Sequence, residues 1–286
     1  MRRKKRSRRA LWGVLGLLAC AAAILLYGQS RQPEPPPRPL PLHPPPQSPA
    51  PIPEEAKPPE PAEIRRGKVA IVIDDMGYDR KSFHVLMDLG VPLTFSILPG
   101  LKYSSAIATE AKRRNYEIML HIPMEPEDPV QDPGQGAIRK GMSPDEVRLQ
   151  TRRDLQAVPF IAGVNNHMGS RVTQDKEAMT AVLEEVKKDG LYFLDSKTSP
   201  DSVAYQVAKS MGIPAAERQV FLDDDPDLLR IHQQMDNLEK IAARRGEAIA
   251  IGHPRPHTLQ VLKERIPALR NKGYELVFLS ELVERR

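Results

Sequence analysis

From Lys68 onward the chain alternates between two hydrophobic patterns. Short apolar runs rich in Val, Ile, Leu and Phe fall at 69–73, 93–98, 116–121, 161–165, 191–195, 219–222, 247–251 and 275–279. Between them lie amphipathic segments at 79–89, 103–114, 144–157, 175–189, 201–211, 227–245 and 257–271. Unbroken apolar runs predict strands buried on both faces, and the longer segments predict helices with one apolar face. Ser143-Pro144-Asp145-Glu146 has the form of a capping box with proline at the first helical position. Gly90, Gly190, Gly212, Gly246 and Gly273 stand where helices should stop. Strand–helix alternation at this spacing predicts a parallel sheet. Seven or eight units in one domain make a distorted (β/α)7-8 barrel, an α/β fold, the expected architecture.

The pattern breaks down before residue 64. Seven Lys or Arg within residues 1–10 precede Leu11–Gly28, an almost wholly apolar run. This is the form of a signal anchor or signal peptide, and its length favours an anchor, since about 20 residues span a bilayer. Residues 29–63 form a linker in which 33–61 hold 15 of the 29 prolines; such a segment stays extended and cannot bury a core. The expected organisation is therefore a membrane segment over 1–28, a proline-rich linker over 29–63 and a barrel domain over 64–286. It places the barrel on the periplasmic or extracytoplasmic side of a bacterial inner membrane, anchored or secreted. The net charge of +5 belongs to the tail, because its seven cations leave about −2 for the remainder. The folded part is thus not a basic nucleic-acid binder. Cys20, the sole cysteine, excludes disulfides within the domain and any thiolate metal site.

Chemistry gathers after the predicted strands. Ile73 is followed by Asp74, Asp75 and Gly77; the third strand ends in His121-Ile-Pro-Met-Glu125; the fourth leads into Asn165-Asn166-His167. Asp195, Asp223-Asp-Asp225 and Gly252-His253-Pro-Arg255 follow the later ones. In a parallel barrel all these positions meet at the C-terminal rim, while the turns at the opposite rim are plain. Adjacent carboxylates repel, and they persist where a cation sits or where one serves in proton transfer. Of seven histidines, His121, His167 and His253 fall on this rim. Asp75, His121 and His167 form an open three-ligand set suited to a divalent metal, with zinc preferred and iron, cobalt or nickel left open. Adjacent strand residues point to opposite sides, so Asp74 and Asp75 can share a site only if the strand ends at Ile73. Asp223-Asp-Asp225 reads either as a second cation site or, preferably, as a cap for the helix beginning near Asp227. Arg255 and Lys197 are candidate anion anchors, and Tyr78 and Tyr103 are the aromatic rings nearest the rim.

Five ordered motifs carry a family resemblance: Ile73-Asp-Asp-Met-Gly77, Leu120-His-Ile-Pro-Met-Glu-Pro126, Gly163-Val-Asn-Asn-His-Met-Gly-Ser170, Phe193-Leu-Asp-Ser-Lys-Thr198 and Gly252-His-Pro-Arg-Pro-His-Thr258. Together they resemble the divergent polysaccharide deacetylase family over roughly 68–283, a distant branch of the NodB-type carbohydrate esterases. The resemblance implies a distorted (β/α) barrel and a metal-dependent hydrolase that removes N- or O-acetyl groups from a polysaccharide such as peptidoglycan. It implies Asp74 as general base, Asp75 and His121 as metal ligands, and His253 as general acid. The esterase H-x-x-x-H motif maps onto His121 and Glu125, so the third ligand is either Glu125 or His167, the latter preferred. The arginine–proline motif of those esterases is replaced by Asn165-Asn166-His167. Asp195 is expected to orient His253 or to bind sugar hydroxyls. The competing function is a non-catalytic, metal-stabilised descendant that binds glycan or an envelope protein. A third is a metal oxygenase using a two-histidine, one-carboxylate triad on the same rim.

Overall fold

The computed structural model describes residues 66–283; the expected membrane segment, the whole of the expected linker and the last three residues lie outside that range. Among the described residues nine parallel strands run in the order β6-β5-β4-β3-β2-β1-β8-β7, with β9 also paired to β1. They are β1 (Gly67–Met76), β2 (Thr94–Ile97), β3 (Glu117–Met124), β4 (Gly163–Met168), β5 (Tyr192–Asp195), β6 (Ala215–Glu217), β7 (Val220–Phe221), β8 (Glu247–Gly252) and β9 (Tyr274–Val277). Seven helices lie between them: α1 (Lys81–Met87), α2 (Ser104–Arg113), α3 (Pro144–Ala157), α4 (Lys176–Lys188), α5 (Ala204–Ser210), α6 (Leu228–Arg245) and α7 (Pro256–Asn271). Among the described residues no helix is long and apolar enough to cross a membrane.

Each strand divides its side chains between two cores. Val69, Ile71 and Ile73 of β1 pack outward with the apolar faces of the helices. Ala70 and Val72 face inward with Met119, Leu194, Ile249 and Ile251. Two-sided burial is why the strands read as continuous apolar runs. The turn that follows β9 closes the lower end: Leu279, Leu282 and Val283 join the inner cluster. The backbone there is tied to the starts of two strands, Leu279 N–H to Thr94 Oγ1 at 3.1 Å and Ser280 N–H to Glu117 Oε1 at 3.1 Å.

Two departures from the expected strands matter. The run at 219–222 is the second half of a broken stave. β6 pairs with β5 and β7 with β8, and only Arg218 and Gln219 join them. Those two residues cross the seam with backbone bonds to either side, Arg218 N–H to Asp195 O and Gln219 N–H to Ile249 O, each 3.1 Å. The ladder is interrupted there, which distorts the barrel. In addition, β1, β3 and β4 each run three residues further than their apolar runs, so the polar residues at their ends are strand residues with alternating orientation.

Candidate metal centre

The end of β1 answers the orientation problem posed by adjacent aspartates. The strand does not stop at Ile73. Ile73 pairs with Phe95 and Met76 with Ile97, so three steps on β1 oppose two on β2. This is a bulge of one residue. Asp75 takes it up with φ of +56°, a left-handed conformation that Asp tolerates better than most residues. Asp74 therefore points into the barrel, where it is buried, and Asp75 turns onto the same rim. The following turn needs glycine: at Gly77, φ is +131° and a Cβ would stand 2.8 Å from Ser104 Oγ.

Inward positions of β3 and β4 complete the cluster. Asp75 Oδ1 lies 3.3 Å from His121 Nε2 and 2.9 Å from His167 Nδ1, and the two ring nitrogens are 3.2 Å apart. Asp75 Oδ1 is buried and makes no hydrogen bond. Ligands of a tetrahedral ion with bonds of about 2.0–2.1 Å stand roughly 3.3 Å from one another, so the three atoms fit a single small divalent cation. Burial opposes charge on Asp75, but the imidazoles of His121 and His167 outweigh it and hold the carboxyl far below the usual range. Burial likewise opposes charge on His121, and the carboxylates of Asp74 and Asp75 reverse that, raising its pKa.

Behind these ligands sits Asn165, which joins four groups. Its amide donates to Asp74 Oδ1 at 2.9 Å and to Ser196 Oγ at 3.0 Å. Its carbonyl accepts from Ser96 Oγ and from His121 Nδ1 at 2.8 Å. Because Nδ1 of His121 donates, Nε2 of the neutral ring would present its lone pair to a cation, the second-sphere arrangement typical of a ligating histidine. Ser96 and Asn165 escaped the sequence reading as site residues. The signal was a polar residue at an inward position of an otherwise apolar strand, as in Thr94-Phe-Ser-Ile97.

His253, the residue after β8, faces the cluster with Nε2 3.6 Å from Asp75 Oδ2. Its orienting partner is Asp223, which accepts from the His253 backbone N–H and from Nδ1, both at 2.9 Å, and from Thr258 Oγ1 at 2.7 Å. Burial works against the imidazolium, but Asp223 raises the His253 pKa above its ordinary value, and its own carboxyl is lowered in return. The expected helix cap is Asp227, not Asp223: it caps α6 by accepting from Arg230 N–H.

Three other expected residues take different positions. Asp195 does not orient His253: it faces outward and accepts from Lys197 N–H, Ser202 Oγ and Tyr205 N–H, holding the loop before α5. Asn166 also faces away from the cluster, bonding Met168 O and Ser196 N–H. Glu125 is drawn off by Lys140 N–H at 2.7 Å and by Arg171 at 3.4 Å, leaving His167 as the third member of the cluster. Arg255 donates to Asp223 O at 2.7 Å and, with Met76, Tyr78 and His253, lines a cleft of about 220 Å³ opening onto Asp75. Lys197 is paired with Glu217 at 3.0 Å.

The sequence pattern of the family described as divergent polysaccharide deacetylase matches residues 71–283. The chain belongs to that family. It is 35% identical over 205 residues to the uncharacterized protein YibQ of Escherichia coli K12, covering 71% of this chain and 63% of YibQ, so the match spans less than two thirds of that relative. An uncharacterized protein of Haemophilus influenzae is 36% identical over 219 residues, 76% of this chain and 77% of that one. Among solved structures, an uncharacterized protein of Agrobacterium tumefaciens C58 superposes with a TM-score of 0.73 at 28% identity, covering 77% of this chain and 90% of that one. The fold is the NodB-like α/β barrel of the family.

Proposed function

We propose that this protein is a divalent-metal-dependent hydrolase that removes acetyl groups from an N- or O-acetylated glycan of the cell envelope, peptidoglycan being the nearest polymer. The observation that carries the reading is the buried, unbonded Oδ1 of Asp75 beside two imidazole nitrogens, with Asp74 and His253 on either side of it. Asp75, His121 and His167 would hold the ion, zinc by donor type. A divalent cation there supplies a Lewis acid beside the scissile carbonyl and acidifies water.

The protein's own groups divide the proton transfers. Asp74, whose Oδ1 accepts from Asn165, takes a proton from the attacking water through Oδ2, which lies 3.5 Å from His121 Nε2. His253, whose protonated form Asp223 favours, gives its proton from Nε2 to the departing amine or alkoxide. Neither role is needed to hold a metal, which favours catalysis over a metal-stabilised binding descendant. Arg255 at the cleft mouth contacts the sugar or its anionic substituents. The apolar run at Leu11–Gly28 and the proline-rich stretch after it suit a domain tethered on the outer side of the inner membrane.

The test is acetate release by the zinc-loaded protein from N-acetylated chitooligosaccharides and from peptidoglycan. Asp74→Asn should retain its metal yet lose about 10²–10⁴ in rate, the usual worth of a general base. Absence of acetate from every acetylated glycan tried would overturn the reading.

A further inference from the structure

A second cavity of about 650 Å³ opens beside the metal cleft and shares Tyr78 with it. That volume is within the range of ligand pockets, about 300–1,000 Å³. Its walls are the loop after β2, Pro123 two residues beyond His121, residues 133–136 of the long β3–α3 loop, and one side of α3. The β3–α3 loop is folded back on β3 by Glu125 N–H to Ile138 O at 2.8 Å and Ile138 N–H to Pro123 O at 2.9 Å, so this wall is built.

Asp154 is the unexplained group in this cavity. It is only 5% exposed. Its Oδ1 accepts from Gln150 Nε2 at 2.9 Å, while its buried Oδ2 has no hydrogen bond. Burial pushes the carboxyl up to about 7 against the pull of Gln150 and Arg153. A buried acceptor without a partner is destabilising, and a ligand hydroxyl would supply the missing donor. Arg153 beside it is exposed and, among the described residues, its side chain makes no hydrogen bond or close ion pair, though its charge acts on Asp154. The remaining wall alternates flat apolar surface from Pro99, Pro123 and Pro133 with bare backbone at Gly100 and Gly134, where an added Cβ would meet nothing within 4 Å.

We propose that this cavity is a subsite for a sugar unit flanking the one presented to the metal centre, with Asp154 and Arg153 hydrogen-bonding its hydroxyls. A hydroxyl both donates and accepts, which matches a carboxyl set next to a guanidinium. The proline faces suit the C–H face of a pyranose ring. Continuity with the metal cleft at Tyr78 makes the occupant part of the same chain. The proposal rests on the glycan reading of the metal centre.

Calorimetric titration of the full-length, zinc-loaded protein with N-acetylglucosamine and with its tetramer tests it. The tetramer should bind at least tenfold more tightly than the monomer. Arg153→Ala and Asp154→Asn should each bring that ratio towards one, with zinc content and circular dichroism verifying the fold. The exposed Arg153 keeps the test sound if Asp154→Asn fails to fold. A tetramer that binds no more tightly than the monomer, or a gain that survives both variants, overturns the subsite. Tighter binding of the fully deacetylated glucosamine tetramer also overturns it, since that would assign the cavity to an ammonium. Length-dependent binding without acetate release sinks the deacetylase reading and leaves the subsite standing. Acetate release with no effect of length on binding does the reverse.

Discussion

Replacing Asn165 by Asp tests the buried hub directly, without requiring turnover. The amide of Asn165 donates to Asp74 Oδ1 at 2.9 Å. A carboxyl in its place can donate to the same oxygen only while protonated. Once ionised it would set two unit charges 2.9 Å apart, a repulsion of roughly 6 kcal/mol at an effective dielectric of about 20. At about 1.36 kcal/mol per pKa unit, the introduced carboxyl could hold its proton up to about four units above the free value near 3.9. A carboxyl whose folded pKa is raised contributes stability that is complete below its unfolded pKa and is lost as pH climbs through the folded one. Asn165→Asp should therefore match the parent protein closely near pH 4. It should then fall behind by up to about 1.4 kcal/mol per pH unit towards pH 8. Urea midpoints at half-unit pH steps, with chelator present, would measure the gap. Asn165→Ala should instead be weaker by several kcal/mol at every pH, because it strands buried partners. A pH-independent gap for Asn165→Asp would mean that Asn165 does not bear on a carboxylate, and the second sphere described for His121 and Asp74 would have to be abandoned.

Two further outcomes follow from the same centre. Zinc at a hundred times its dissociation constant should stabilise the protein by about 2.7 kcal/mol, roughly 5–11 °C in melting temperature for a domain of this size; Asp75→Asn and His167→Gln should erase that rise, and an undiminished rise would remove those residues from the ion. Asp223 keeps His253 protonated to higher pH, so Asp223→Asn should move the alkaline limb of the kcat profile towards acid; an unmoved limb in acetate-release assays would refute the pairing as the source of the shift.

Much of this architecture was legible because two-sided burial leaves an unmistakable mark. Val69–Ile73 could only be a covered strand, and Ser143 to Glu146 spells out the start of α3 in side-chain hydrogen bonds that the structure contains. Strand ends were less legible. Asn165, Asn166 and His167 look like loop residues, but in a parallel ladder the backbone bonds to its neighbours and leaves side chains free to be polar. Reading them as strand would have sent Asn165 and His167 inward and Asn166 outward. The exchange of Asp195 for Asp223 has the same origin, since two acidic strand ends look alike until the facing direction of each is known. The bulge at Asp75 and the break at Arg218–Gln219 depend on pairing between distant strands, which no local pattern encodes.

The single inserted residue at Asp75 has a mechanical consequence. It puts Asp74 and Asp75, the proposed proton acceptor and the proposed cation anchor, on consecutive α-carbons about 3.8 Å apart, within a strand held by β8 and β2. Any movement of the rim loops would leave the spacing between those two groups unchanged. The spacing is thereby set by the sheet and not by the loops that surround the mouth.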